Sequence, residues 1–142
     1  MSSSCAPVNL DREPAGGFVD ALLREVLAHL IHFAQTGEAA AIDLGGLPIS
    51  GRDREALDEA LGRGEAGATL DVLGRSEIWE TRYSGVWRVR HFGDATIVAD
   101  LIEITACPKI LFADRRDADG AARRLADALE RKCAIVETSH ET

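Results

Sequence analysis

Apolar positions along the chain follow two different periods. Across residues 18–35, Val19, Leu22, Leu23, Val26, Leu27, Leu30 and Ile31 recur every three or four positions, with Phe33 and Ala34 beside the stripe, which predicts an amphipathic helix. Gly37 stands just past it, where helices commonly close on a residue of left-handed backbone. Residues 40–44 form a short strand candidate. Gly45, Gly46 and Pro48 interrupt it, and Ser50 opens a second helix that runs to about Leu61.

Beyond Gly62 and Gly64 the period shortens to two. Residues 66–73, 77–83, 86–92 and 96–105 read as four consecutive strands, joined at Gly74, Ser84-Gly85 and Gly93-Asp94 by turns short enough to make antiparallel neighbours. A last helix is expected over residues 119–132, with Leu125 and Leu129 one turn apart on its apolar side. The expected fold is α+β: a four-stranded antiparallel meander packed against the N-terminal amphipathic helix, with a second helix and a C-terminal helix. Leu22, Leu23, Val26, Leu27 and Leu30 are the side chains expected to seal that contact. Residues 1–16 read as an extended or disordered lead, 17–137 as one domain and 138–142 as a frayed tail.

A length of 142 residues suits that single domain, and 46% apolar with 28% charged residues is the balance of an ordinary globular protein. No apolar run approaches the ~18 residues of a membrane span, and residues 1–14 lack the basic start and apolar centre of a signal peptide, so the expected location is the cytoplasm. The net charge of -8 argues against nucleic acid or an anionic membrane as partner, because both need clustered Lys and Arg. That charge is unevenly spread. Residues 38–71 carry a net -5, whereas Arg75, Arg82, Arg88 and Arg90 against Glu77 and Glu80 give residues 75–92 a net +2, in the segment that also holds Trp79, Trp87 and Tyr83.

Alternation along residues 77–92 separates two faces. Trp79, Tyr83, Trp87 and Val89 are expected beneath the helices, with Trp79 and Trp87 holding the platform in shape. Glu80, Arg82, Arg88, Arg90 and His91 are expected on the hairpin's open surface as partner contacts, since Arg and aromatic residues are enriched at interfaces. On this reading, charge reversal at Arg88 and Arg90 weakens partner capture and leaves the thermal midpoint nearly unchanged.

Catalytic signals are thin. Glu25, His29 and His32 share one side of the first helix, and a carboxylate with two imidazoles is a possible zinc or nickel set, but this is also the helix's solvent side. Cys5, Cys107 and Cys133 are far apart with no CxxC pair, which speaks against a zinc ribbon, a redox pair or a disulfide framework. Cys107, before Pro108, has no marked base to make it a nucleophile. Asp43, Asp53, Glu55, Asp58 and Glu59 read as a solvated acidic surface around the second helix. The glycines near 44–47 and 61–67 match neither a dinucleotide fingerprint nor a Walker loop. No cofactor or bound metal is expected.

One stretch says more. The string SEIWETRYSGVWRVRH at 76–91 resembles the signature of the C-terminal domain of HupH/HyaF hydrogenase expression and formation proteins. Ile42-Asp43-Leu44, Leu47-Pro48-Ile49-Ser50, Leu61-Gly62-Arg63-Gly64-Glu65, residues 99–104 and Cys107-Pro108 resemble the same domain in the same order. Longer members of that family carry a further N-terminal region where this chain has a short lead. The resemblance implies a non-enzymatic accessory protein for nickel–iron uptake hydrogenase assembly. Its implied partners are the iron–sulfur small subunit before export and other hydrogenase accessory proteins. The rival readings are a small metal carrier or enzyme using Glu25, His29 and His32, and an interaction domain with another client.

Overall fold

The computed structural model describes residues 17–71 and 74–140. The expected lead at 1–16 lies outside these residues. In chain order the elements are α1 (Gly17–Thr36), β1 (Ala40–Asp43), a 3-10 turn (Leu44–Gly46), α2 (Gly51–Leu61), β2 (Gly67–Asp71), β3 (Arg75–Glu80), β4 (Val86–Phe92), β5 (Ile97–Ile104), a second 3-10 turn (Lys109–Leu111) and α3 (Arg115–His140). The chain divides into two units, one ending at Pro108 and one beginning at Lys109.

Helix ends in the first unit are set by local chemistry. The α1 helix stops at Gly37, whose φ of 76° suits glycine and whose N–H donates to the Phe33 carbonyl at 2.8 Å. The Ser50 hydroxyl accepts from the Asp53 N–H at 3.0 Å and so satisfies one of the free donors at the start of α2.

The sheet is antiparallel, in the order β1-β5-β4-β3-β2. It has five strands rather than the four expected, because residues 40–43 join it as a marginal strand, Ala40 opposite Ile104 and Ile42 opposite Ile102. No local turn signals that pairing, since the partner strand lies some sixty residues downstream. The α+β class and the meander of β2 to β5 are as the alternation suggests.

The main hydrophobic cluster of this unit lies on one sheet face, with Ile78, Trp87 and Val89 buried on the other. Val19, Leu22 and Val26 of α1 and Leu57 and Leu61 of α2 are buried with Ile42, Leu44, Val86, Ile102 and Ile104. Leu23 and Leu30 flank that cluster half-buried, but Leu27 is 55% exposed. The expectation for Leu27 is therefore wrong. A single helix cannot bury both the 19/22/26 stripe and the neighbouring 23/27/31 stripe against one flat sheet, and the first wins because it points at Val86, Ile102 and Ile104.

In the second unit, Asp114 starts α3 by accepting the Arg116 N–H at 2.8 Å. The helix is longer than expected, and Leu125 and Leu129 are exposed. Its last residues overlap the expected tail.

Truncation should distinguish the two α1 stripes. Leu22→Ala is expected to cost about 2–5 kcal/mol, as for a buried leucine. Leu27→Ala should stay within about 0.5 kcal/mol of the parent, as an exposed position does. Urea denaturation followed by circular dichroism measures both, and equal losses would contradict the assignment of the faces.

Candidate functional site

The face of the sheet beneath the helices is not uniformly apolar. Alternation along β4 puts Val86, Arg88 and Arg90 on that face, and Arg88 and Arg90 are 0% and 9% exposed. Register supplies their neighbours. Arg88 is opposite Trp79 of β3 and Ile102 of β5, and Arg90 is opposite Glu77 and Asp100. Paired residues share a face, so Asp100 enters the same layer, fully buried.

The α2 helix closes the layer from above with Arg54 and Asp58, one turn apart. Arg88 donates to the Asp58 Oδ1 at 2.5 Å and to the Asp100 Oδ1 at 2.8 Å. Arg90 donates to Asp58 at 3.1 Å and to the Asp100 Oδ2 at 3.3 Å, and the Arg54 Nε donates to the same Asp100 oxygen at 2.9 Å. Three guanidiniums thus share two carboxylates. Trp79 borders the cluster, with the Arg90 and Arg88 guanidinium carbons 5.2 and 5.5 Å from its ring centre and that of exposed Arg63 at 4.2 Å. The Nε atoms of Arg88 and Arg90 are buried without a hydrogen-bond partner, so the fit is tight but not saturated.

Burial by itself pushes the Asp100 carboxyl up; the Arg88 and Arg90 guanidiniums outweigh it and hold the group below the ordinary carboxylate value. The cluster is a set of ion pairs in which each guanidinium is matched to a carboxylate. What it can do is clamp α2 to β4 and β5.

The residues expected as one contact surface are thereby separated. Arg88 and Arg90 lie inside, not on an open face, because Asp58 and Asp100 neutralise them there. Trp79 and Trp87 do not form one platform: Trp79 pairs with Arg88 while Trp87 pairs with Glu80, which places the two indoles on opposite faces. Tyr83 is exposed in the turn, and Val89 is buried on the face away from the arginines. Glu80 and His91 are half-buried on that opposite face, His91 sharing a 2.6 Å hydrogen bond with the Ser76 hydroxyl. Arg82 is exposed and lies over Gly62.

Arg54, Asp58, Arg63 and Asp100 were not anticipated as members of a site. A signal existed for Asp100, the carboxylate of β5 that falls in phase with Ile102 and Ile104. The Glu25, His29 and His32 set does not converge. His29 is 3.6 Å from Glu25, whereas His32 pairs at 2.9 Å with Glu38. Among the described residues no group of three or more His, Cys, Asp or Glu is placed to hold a metal ion. Cys107 is half-buried, its sulfur 3.8 Å from the Pro108 carbonyl oxygen.

The loop from Leu61 to Ala66 completes the surroundings. Gly62 has φ 65°, and a Cβ on Gly64 would sit 2.7 Å from the Thr81 carbonyl oxygen. Glycine at these positions lets the loop lie along the end of β3, where the Gly64 N–H donates to the Glu80 carbonyl and the Glu80 N–H to the Ala66 carbonyl.

Comparison with known proteins agrees with this architecture. Residues 19–132 match the family described as the HupH hydrogenase expression protein, C-terminal conserved region, and the chain belongs to that family. It is 32% identical over 117 residues to the hydrogenase expression/formation protein HupQ of Azotobacter chroococcum, which covers 82% of this chain and 40% of that protein. With HupH of Rhodobacter capsulatus it shares 33% over 95 residues, 66% of this chain and 34% of the relative. The chain therefore spans well under half the length of these relatives. The solved hydrogenase expression protein HupH from Thiobacillus denitrificans superposes with a TM-score of 0.77 at 35% identity, over 82% of this chain and 98% of the other.

Two outcomes follow from the buried cluster. Asp100→Asn leaves Arg88 buried with half its partners and is expected to cost about 3–5 kcal/mol in chemical denaturation. The Arg88→Glu, Arg90→Glu double variant should lose cooperative unfolding rather than keep its midpoint. The Asp100 value is depressed in the folded state. Its stabilisation is therefore present above the unfolded carboxyl's pKa of about 3.9 and is lost as pH falls through the folded value. A pH series of midpoints should show an acid decline that Asp100→Asn makes shallower. An unaltered acid limb would show that Asp100 is not the group responsible.

Proposed function

We propose that this chain is a non-catalytic accessory of nickel–iron hydrogenase assembly that attends the iron–sulfur small subunit before its export, on the cytoplasmic side. The family match over residues 19–132, which takes in the whole sheet, both helices above it and most of α3, carries this reading. The relatives are named for hydrogenase expression and formation. The chemistry of the buried cluster supports the non-catalytic part, because its ionisable groups are spent on one another and serve the scaffold. Among the described residues no helix is long and apolar enough to cross a membrane.

In this reading the contact role anticipated for the hairpin falls to the side chains that reach water. Arg82 supplies a directional cation, with partial help from Glu80 and His91, while Arg88, Arg90 and Trp79 act through the shape of the sheet. Other hydrogenase accessory proteins are further candidate partners.

The test is isolation of the tagged full chain from cells making the hydrogenase, with bound proteins identified by mass spectrometry. The small subunit in its uncleaved precursor form should be enriched over the large subunit, and Arg82→Glu should lower its recovery at least several-fold. Recovery of neither subunit, together with normal hydrogenase activity in a deletion strain, would overturn the proposal.

A further inference from the structure

β2 forms one margin of the sheet: β3 pairs with one of its sides, and among the described residues no strand pairs with the other. The bond from the Glu80 N–H to the Ala66 carbonyl, 2.9 Å, sets the phase of this margin. In an antiparallel ladder alternate residues turn both backbone groups to the same neighbour. Ala68 and Leu70 therefore address β3, and Gly67, Thr69 and Asp71 turn their N–H and C=O groups outward. The strand contains neither Lys nor Pro, the residues that commonly guard an exposed margin against pairing.

Beside this margin lies an open pocket of about 260 Å³, bordered by Arg63, Gly67, Thr69, Glu77 and Trp79. That is below the roughly 300–1,000 Å³ of small-molecule sites and suits a single side chain. Its charge is specific. Asp58 and Asp100 are taken by Arg54, Arg88 and Arg90, and Glu77 is held by Arg75. Arg63 stacks on Trp79 at 4.2 Å, and among the described residues no carboxylate pairs with it.

Register connects the two features. Gly67 is opposite Trp79, so a residue of an added strand lying across from Gly67 would share the Trp79 face, with no side chain on Gly67 between them. We propose that the β2 margin is a strand-addition site for an extended segment of a partner protein, which presents an Asp or Glu side chain across Gly67 to the Arg63 guanidinium. Backbone bonds to Gly67, Thr69 and Asp71 hold the segment, and the guanidinium selects the carboxylate. The site is independent of the hydrogenase assignment and requires no particular client.

The probe is the capped peptide Thr-Val-Thr-Glu-Thr-Val-Thr, titrated into the nitrogen-15-labelled full chain and followed by amide shifts. Shifts should concentrate at Gly67, Thr69, Asp71 and the Trp79 indole. Replacing the central Glu by Gln should weaken binding about tenfold, since a charge-assisted bidentate bond is lost. Arg63→Gln should abolish the difference between the two peptides. Thr69→Pro removes one outward N–H and should eliminate binding of both; a peptide N-methylated at alternate residues makes the same test without altering the protein. Equal binding of the Glu and Gln peptides, undiminished binding of the N-methylated peptide, or shifts confined to α1 or β1 would each overturn the proposal.

Discussion

The structure depends on neutralising two guanidiniums inside the sheet. Arg88 and Arg90 occupy positions that an antiparallel sheet roofed by helices would normally give to Val or Leu. A lone buried charge costs several kcal/mol, so neither position is tenable without a carboxylate at hydrogen-bonding distance. Asp100 supplies one from the adjacent strand, and Asp58 supplies the other from α2. The β4–β5 register must then be the one that sets Arg90 opposite Asp100, and α2 must lie where Asp58 reaches both arginines. A shift of one residue in either strand would turn a charge to the wrong face. The cluster thus specifies an arrangement that the purely apolar contacts of α1, which are non-directional, leave less defined.

This explains which features could be read from the sequence. Helix positions and the antiparallel meander follow from local periodicity and turn residues, whereas which of the two apolar stripes of α1 turns inward does not. Nor does the added strand β1, because its pairing with β5 spans the middle of the chain. The faces of the hairpin differ from those that alternation suggests for a related reason. Alternation tells which residues share a face within one strand, but relating β3 to β4 requires the register across residues 81–85, and that is set by tertiary bonds such as Thr81 N–H to the Val86 carbonyl. Arginine usually marks the solvent side, and here the usual rule gives way because two aspartates lie within reach. Those aspartates were legible only in part. Asp58 resembles any other acid on a polar helix, whereas Asp100 falls in phase with the apolar Ile102 and Ile104.

The strings that carry the family resemblance acquire a physical meaning in this arrangement. Gly62 and Gly64 let a loop approach the end of β3 more closely than a side chain would permit. Trp79 borders the ionic cluster, and Gly85 forms the turn that α1 covers with Leu30 and Phe33. Each of these residues builds the scaffold. A resemblance concentrated on such positions identifies the fold more securely than it identifies a contact surface, so the hairpin's sequence signature and its binding role have to be argued separately.

Charge distribution bears on where such a surface lies. The net +2 of residues 75–92 suggests a basic patch, yet Arg88 and Arg90 are withdrawn into the interior and matched there by Asp58 and Asp100. The basic character of residues 75–92 is therefore largely internal. The exposed cations near this end of the sheet are Arg63, Arg75 and Arg82; Arg75 is occupied by Glu77, and Arg82 covers the Gly62 turn. Long-range attraction in water at physiological salt fades within about 8 Å, so a partner senses these side chains at close quarters rather than through the overall charge. A partner docking on this end of the sheet would meet a few directional donors beside the β2 margin, which among the described residues pairs with no second strand.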